Sequence, residues 1–192
     1  MIGETARGDG RLARARLVTG PLDARAAAFT RLTASRLASC YRLATVILGD
    51  SADAEDATHD AAIRAWERWG SLRDAERFDA WFGRILINEC RDRLRRRKSR
   101  PNLVSLADRR MDLDSRDIDG LADRHALAEA VDRLEPDQRI AVILHYYLGL
   151  TAEQIAERTG TRVGTVKSRL HYAVAALRAT RDAAARLEGT GR

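Results

Sequence analysis

The sequence predicts an all-α fold, two small helical domains joined by a flexible linker, and three observations carry that expectation. Apolar residues recur at helical spacing through most of the chain. Only three prolines occur in 192 residues, leaving long stretches free to run as helix. The interval from about 100 to 120 lacks apolar periodicity and holds Pro101, Asn102, four aspartates between Asp112 and Asp119, and Gly120, the composition of a linker. With 45% apolar and 32% charged residues the chain is globular in character, and helical modules of this size each bury a core.

Residues 1–24 read as a polar, flexible leader that ends near Gly20-Pro21. A first helix is expected from Ala26 to Leu48 on the spacing of Phe29, Leu32, Leu43, Val46 and Ile47, with Gly49 as its stop. A second runs from Ala52 to Trp69 and ends at Gly70. It opens on Asp50, Asp53, Glu55, Asp56 and Asp60 with no basic residue before Arg64, and acids at a helix N-terminus suit the macrodipole. After a polar loop, Ser71 to Arg77, a third helix runs from Phe78 to Lys98 with Phe78, Trp81, Phe82 and Ile85 as its apolar face, and Pro101 terminates it. That spacing assigns Trp81 and Phe82 to the core rather than to base stacking. Beyond the linker, a helix around Ala126 to Arg133 precedes one whose Pro136 suits the first helical position and whose stop is Gly149. The resulting division is leader 1–24, first domain 25–99, linker 100–120, second domain 121–180 and a basic tail 181–192.

The second domain closes on a helix-turn-helix. Thr151 and Gln154 have capping-box spacing, so a helix starts there, and Gly160 stops it. Ala156, Gly160 and Val166 supply the small residue, the turn glycine and the β-branched residue that two tightly crossing helices require. If the next helix covers Val163 to Arg178, then Val163, Val166, Leu170, Ala173, Val174 and Leu177 form one stripe, while Thr165, Ser168, Arg169 and Tyr172 face away from it. Those outward groups can hydrogen-bond base edges in a major groove, with Arg162 and Lys167 beside them as phosphate contacts.

Charge points to the same kind of partner. The chain carries a formal +6, and the segment from Arg84 to Arg100 alone holds eight basic residues against Glu89 and Asp92. On a helix Arg84, Asn88, Arg91, Arg95 and Lys98 make one continuous stripe, able to track a nucleic-acid backbone and to offer an amide to a base. Other chemistries are poorly served. Gly160 to Ser168 has the outline of a phosphate loop, but Thr165 stands at the second glycine position and no strand precedes it. The acidic run from Asp50 lacks the central glycine and alternate ligands of a calcium loop, and the four histidines lack metal spacing. Cys40 and Cys90, each inside a helical pattern, read as reduced thiols in a reducing cytosol. No run of 18 apolar residues exists, so no membrane insertion is expected.

These motifs resemble one family, the group IV or extracytoplasmic-function sigma factors of bacterial RNA polymerase, over about Phe29 to Arg178. The stretch Asp53 to Trp66 resembles region 2.2. The resemblance implies a contact with core RNA polymerase through Asp53, Glu55, Asp56, Asp60 and Arg64. The stretch Phe78 to Asn88, continuing to Arg91-Asp92 and Arg95-Arg96, resembles regions 2.3 and 2.4, implying minus-ten contacts from Arg84, Asn88, Arg91, Arg95 and Arg96. Gly164 to His171, following Leu134-Glu-Pro, resembles region 4, implying minus-thirty-five contacts from Arg162, Thr165, Lys167, Ser168, Arg169, His171 and Tyr172. The chain departs from its relatives at His59 and Ala62, where glutamine and phenylalanine are common, and at Tyr172 and Val174, where arginines are. The expected function is that of a cytoplasmic sigma factor, without cofactor or catalysis, that binds core polymerase and promoter DNA, with an anti-sigma factor as a further partner. The alternative is a helix-turn-helix regulator acting outside the polymerase. Such a regulator needs a dimer interface to span two half-sites, and no apolar surface helix is reserved for one.

Overall fold

The structure is a computed structural model that describes residues 21–99 and 121–189, with side chains described over 24–99 and 125–183. The linker and most of the leader therefore lie outside the described residues. Among the described residues every regular element is helical: α1 (Pro21–Ala34), α2 (Leu37–Leu48), α3 (Ser51–Glu67), α4 (Phe78–Ser99), α5 (Leu121–Asp132), α6 (Pro136–Tyr146), α7 (Ala152–Thr159) and α8 (Val163–Gly189), with 3₁₀ turns at Trp69–Ser71 and Ala75–Arg77.

The first expected helix is in fact two. The backbone breaks at Ser35-Arg36, where the Thr33 hydroxyl donates to the Phe29 carbonyl, the Ser35 hydroxyl to Leu32, and the Arg36 N–H to Thr33. The two hydroxyl bonds compete with the helical ladder, and the tighter Arg36-to-Thr33 backbone turn marks where it ends. The break swings α1 so that Phe29 seats edge-on between Trp66 and Trp69, at ring distances of 5.2 and 5.3 Å. Pro21 opens α1, five residues earlier than the apolar spacing indicates, as its fixed φ and missing N–H favour. At its far end α8 continues past Arg178 to Gly189 through the alanine-rich run that follows.

Gly49 caps α2 with φ +67°, and Asp50 at once caps α3, its carboxylate accepting from the Asp53 N–H at 2.8 Å. The two helices thus reverse with almost no loop. Along α3 the alanines 54, 57, 61 and 65 are wholly buried, and their small side chains let α2 and α4 approach closely. The larger volume comes from α4: Phe78, Phe82, Ile85, Leu86, Ile87, Cys90 and Leu94 are buried, and so are Gly83 and Glu89. So wide a buried surface needs neighbours on two sides. One side is α2 and α3. The other is α6 and α7 of the second unit, whose Ile140, Ile143, Leu144, Ile155 and Ala156 join the same apolar cluster. A smaller cluster of Leu134, Val142 and Ala173, with Leu170 and Leu177 against it, holds α6 to α8.

Candidate nucleic-acid interface

The helix-turn-helix has the local chemistry its residues call for. The Thr151 hydroxyl accepts from the Gln154 N–H at 3.3 Å while the Gln154 side chain accepts from the Thr151 N–H at 2.9 Å, so both halves of the capping box are made. Gly160 takes φ +66°, which a side chain would resist, and the Thr161 N–H closes the turn on the Ala156 carbonyl. His145 braces the preceding turn, its Nδ1 donating to the Leu150 carbonyl at 2.8 Å. Val166 and Ala173 are buried, and Val163, Leu170, Val174 and Leu177 are partly buried along the same stripe. Thr165, Lys167, Ser168, His171 and Tyr172 are exposed away from that stripe, a row of donors and acceptors on one helix face, and Arg162 is exposed just before the helix begins.

Arg169 departs from that row. Its side chain is only 23% exposed and turns back to Asp137 at the start of α6, at 3.2 Å. Arg169 stands one turn before buried Ala173, so the helical period sets it beside the inner stripe rather than on the outer face, and a long side chain there reaches whichever anion lies alongside.

The α4 stripe behaves in the same way. Arg91 Nε lies 2.7 Å from one Asp137 oxygen and Arg95 3.0 Å from the other. Asn88 accepts from Arg91 at 2.6 Å. Lys98 pairs closely with Glu135, and Arg84 lies against Gly160, where an added Cβ would overlap its guanidinium. Arg96, by contrast, is exposed and, among the described residues, donates to the Asp92 carbonyl within its own helix. Burial alone would raise the Asp137 carboxyl. Arg169, then Arg91, and hydrogen bonds from Arg95 and Arg91 more than offset it and hold the group below the usual aspartate range.

On α3 the acids divide. Glu55 and Asp56 are exposed, the latter at 71% of its side chain. Asp60 pairs with Arg93 at 2.5 Å, and Asp53 pairs closely with Arg97, whose guanidinium also donates to the Leu48 carbonyl that ends α2. Arg64 lies 2.9 Å from Glu89, a carboxylate with 1% side-chain exposure. Burial pushes Glu89 above the ordinary glutamate range; Arg64 pulls it back, while Asp60 and Asp92 add to the push. Arg93, Arg97, Glu89, Asp137 and Glu135 carry this electrostatic framework, and the charge pattern of α4 taken alone does not single them out. A signal in the sequence is the pair of acids that flank Pro136.

Two family descriptions match the chain: Sigma-70 region 2 over residues 33–100, and Sigma-70 region 4 over residues 124–177. Similar proteins include the ECF RNA polymerase sigma factor SigL of Mycobacterium tuberculosis, 34% identical over 167 residues that cover 85% of this chain and 94% of that one. The RNA polymerase sigma-E factor of Streptomyces antibioticus is also 34% identical, over 82% of this chain and 88% of its own. Among solved structures, the sigma factor RpoE of Bartonella quintana, in complex with the anti-sigma factor NepR, superposes with a TM-score of 0.61 at 26% identity, covering 80% of this chain and 96% of that one. CnrH, in complex with the cytosolic domain of CnrY, shares the fold at a TM-score of 0.57, covering 83% and 95%. With both sigma regions matched in order and relatives aligned over most of their length, the chain belongs to the sigma-70 family, among its extracytoplasmic-function sigma factors.

Proposed function

We propose that this chain binds core RNA polymerase and directs promoter recognition and DNA melting at the start of transcription. The observation that carries the reading is the exposed row Arg162, Thr165, Lys167, Ser168, His171 and Tyr172 on a fully capped helix-turn-helix, in a chain that also matches sigma region 2. That row lies in the duplex major groove upstream, Lys167 meeting phosphate and Ser168 reading base edges. Residues 25–99 capture the melted strand, Arg84, Arg91, Arg95 and Arg96 following phosphates and Asn88 facing an extruded base. Glu55 and Asp56, two exposed acids of α3, meet the polymerase together with Asp53, Asp60 and Arg64 around them.

The work is binding rather than catalysis, and it takes place where the polymerase is, in the cytoplasm. An anti-sigma protein is a further partner, by analogy with the two solved sigma factors that were captured with theirs. A regulator acting apart from polymerase has no use for a sigma region 2, which here covers residues 33–100, the first unit beyond α1. Co-purification with core polymerase, followed by transcription from a promoter library, tests the reading. Replacing both Glu55 and Asp56 by lysine should weaken core binding without loss of helicity. Unchanged core affinity removes the α3 assignment, and failure of the wild-type chain to bind core removes the function.

A further inference from the structure

Between the end of α3 and the middle of α4 lies a cavity of about 230 Å³, walled by Arg64, Arg68, Asn88, Arg91 and Arg95 and floored by Glu89. Glu89 is 1% exposed, yet neither of its oxygens accepts a hydrogen bond among the described residues. Its ion-pair partner Arg64 meets one of them, at 2.9 Å. A carboxylate offers about four lone-pair positions, and buried acceptors are as a rule matched by donors. The floor of the cavity therefore keeps the capacity to accept from two further N–H groups.

A second group fixes what those donors belong to. The Asn88 carbonyl oxygen accepts from Arg91 at 2.6 Å, which leaves the amide nitrogen as the donor of that side chain. One amide donor thus stands beside a pair of carboxylate acceptors. The Watson–Crick edge of guanine carries the complementary set, O6 as an acceptor with N1–H and the N2 amino group as adjacent donors. Adenine and cytosine each place a ring acceptor beside a single amino group, and thymine sets one N–H between two carbonyls. At the edge of the cavity Arg68 is exposed and makes no ion pair among the described residues, so its guanidinium is open to a phosphate. We propose that this cavity is a guanine-selective nucleotide site, in which Glu89 accepts from N1–H and the N2 amino group of an unpaired base, Asn88 donates to O6, and Arg68 meets the attached phosphate.

Arg64 is the movable part of the site. It is 45% exposed and covers the carboxylate from the solvent side, so turning it outward opens the two oxygens to a base. The cation stays near enough to balance the charge, because Coulomb attraction falls only as the inverse of distance. The charged carboxylate is the form that accepts at both oxygens; burial opposes that form and Arg64 favours it. The base has two sources with the same chemistry, a nucleotide extruded from a melted strand and a guanosine nucleotide in solution. Only the first source rests on the sigma-factor reading, where Asn88 faces an extruded base; Glu89 adds the identity of that base.

The full-length chain is titrated, at one low salt concentration, into fluorescein-labelled thymidine strands that carry a single central guanine, hypoxanthine, adenine or cytosine, or no substitution. Anisotropy should show the guanine strand bound at least about fivefold tighter than the adenine, cytosine and all-thymine strands. Hypoxanthine, which lacks the N2 amino group, should fall between. Glu89→Gln loses an acceptor and turns a donor toward N1–H, so it should bring guanine to the level of the other bases and leave those unchanged. Arg68→Ala should weaken every strand alike. Circular dichroism checks folding; if Glu89→Gln loses helicity, Glu89→Asp, which keeps the charge but withdraws the oxygens, decides in its place. Equal affinity for all the strands overturns the site, as does a preference for adenine or cytosine, or a guanine preference that survives the change at Glu89. Guanosine 5′-monophosphate that competes with the guanine strand where adenosine 5′-monophosphate does not extends the site to nucleotides in solution; guanine preference without that competition confines it to a strand. A wild type that keeps the preference but fails to bind core polymerase would remove the sigma function and leave the site, and core binding with no preference would do the reverse.

Discussion

Removing the Arg64 guanidinium should strand a buried charge, with a cost that depends on pH. Glu89 has 1% side-chain exposure, its oxygens accept no hydrogen bond among the described residues, and Arg64 at 2.9 Å is the cation paired with it, with Arg93 acting more weakly. Deleting one partner of a buried pair costs ~3–5 kcal/mol. Arg64 itself is 45% exposed, so water screens the pair from that side and brings the expectation for Arg64→Ala down to about 2 kcal/mol. For a chain of this length that corresponds to a fall in Tm of roughly 4–8 °C. Glu89→Gln should cost little, and the double variant Arg64→Ala/Glu89→Gln should lie close to Glu89→Gln alone, because no charge is left to strand.

The sign with pH follows from the direction of the shift. A carboxyl whose folded pKa is raised contributes stability that is fully present below its unfolded pKa and is lost as pH rises through the folded one. Without Arg64 the loss deepens, so the Arg64→Ala penalty should be larger at about pH 8 than at about pH 5. Thermal unfolding followed at 222 nm, for the four proteins at both pH values, measures it. A penalty that is the same at both pH values and in both Glu89 backgrounds would refute the reasoning, and Arg64 would then be a solvated surface residue.

Two further outcomes follow from local chemistry. Thr151→Ala removes one half of the capping box and should cost about 1 kcal/mol in urea unfolding, while duplex binding at saturating protein stays intact. Burial, aided by Asp79, raises the Cys40 thiol to about 11, and burial raises Cys90 to about 12, so Ellman's reagent at neutral pH should find both slow in the native chain and both fast in denaturant. A native Cys90 that reacts as fast as a free thiol would mean that α4 opens far more readily than its packing allows.

What was legible in the sequence is what neighbours in sequence decide. Helix starts and stops at Asp50, Thr151, Pro136, Gly49 and Gly160 depend on contacts within four residues, and each is visible as a residue type at a fixed offset. The faces of α4 and α8 follow from a 3.6-residue period, which is why Phe82 and Val166 were placed in the core from spacing alone. The break at Ser35-Arg36 escaped because periodicity continues on both sides of it, and only the hydroxyl bonds reveal it.

The family, too, was carried by linear strings. The destination of the charges was not. A stripe of arginines has the same spacing whether its counterions are phosphates or carboxylates, and Asp137 meets Arg91 and Arg95 across 46 and 42 residues of chain. Only the docking of α6 and α7 on α4 brings them together, because Coulomb attraction depends on distance in space and carries no trace of separation along the chain.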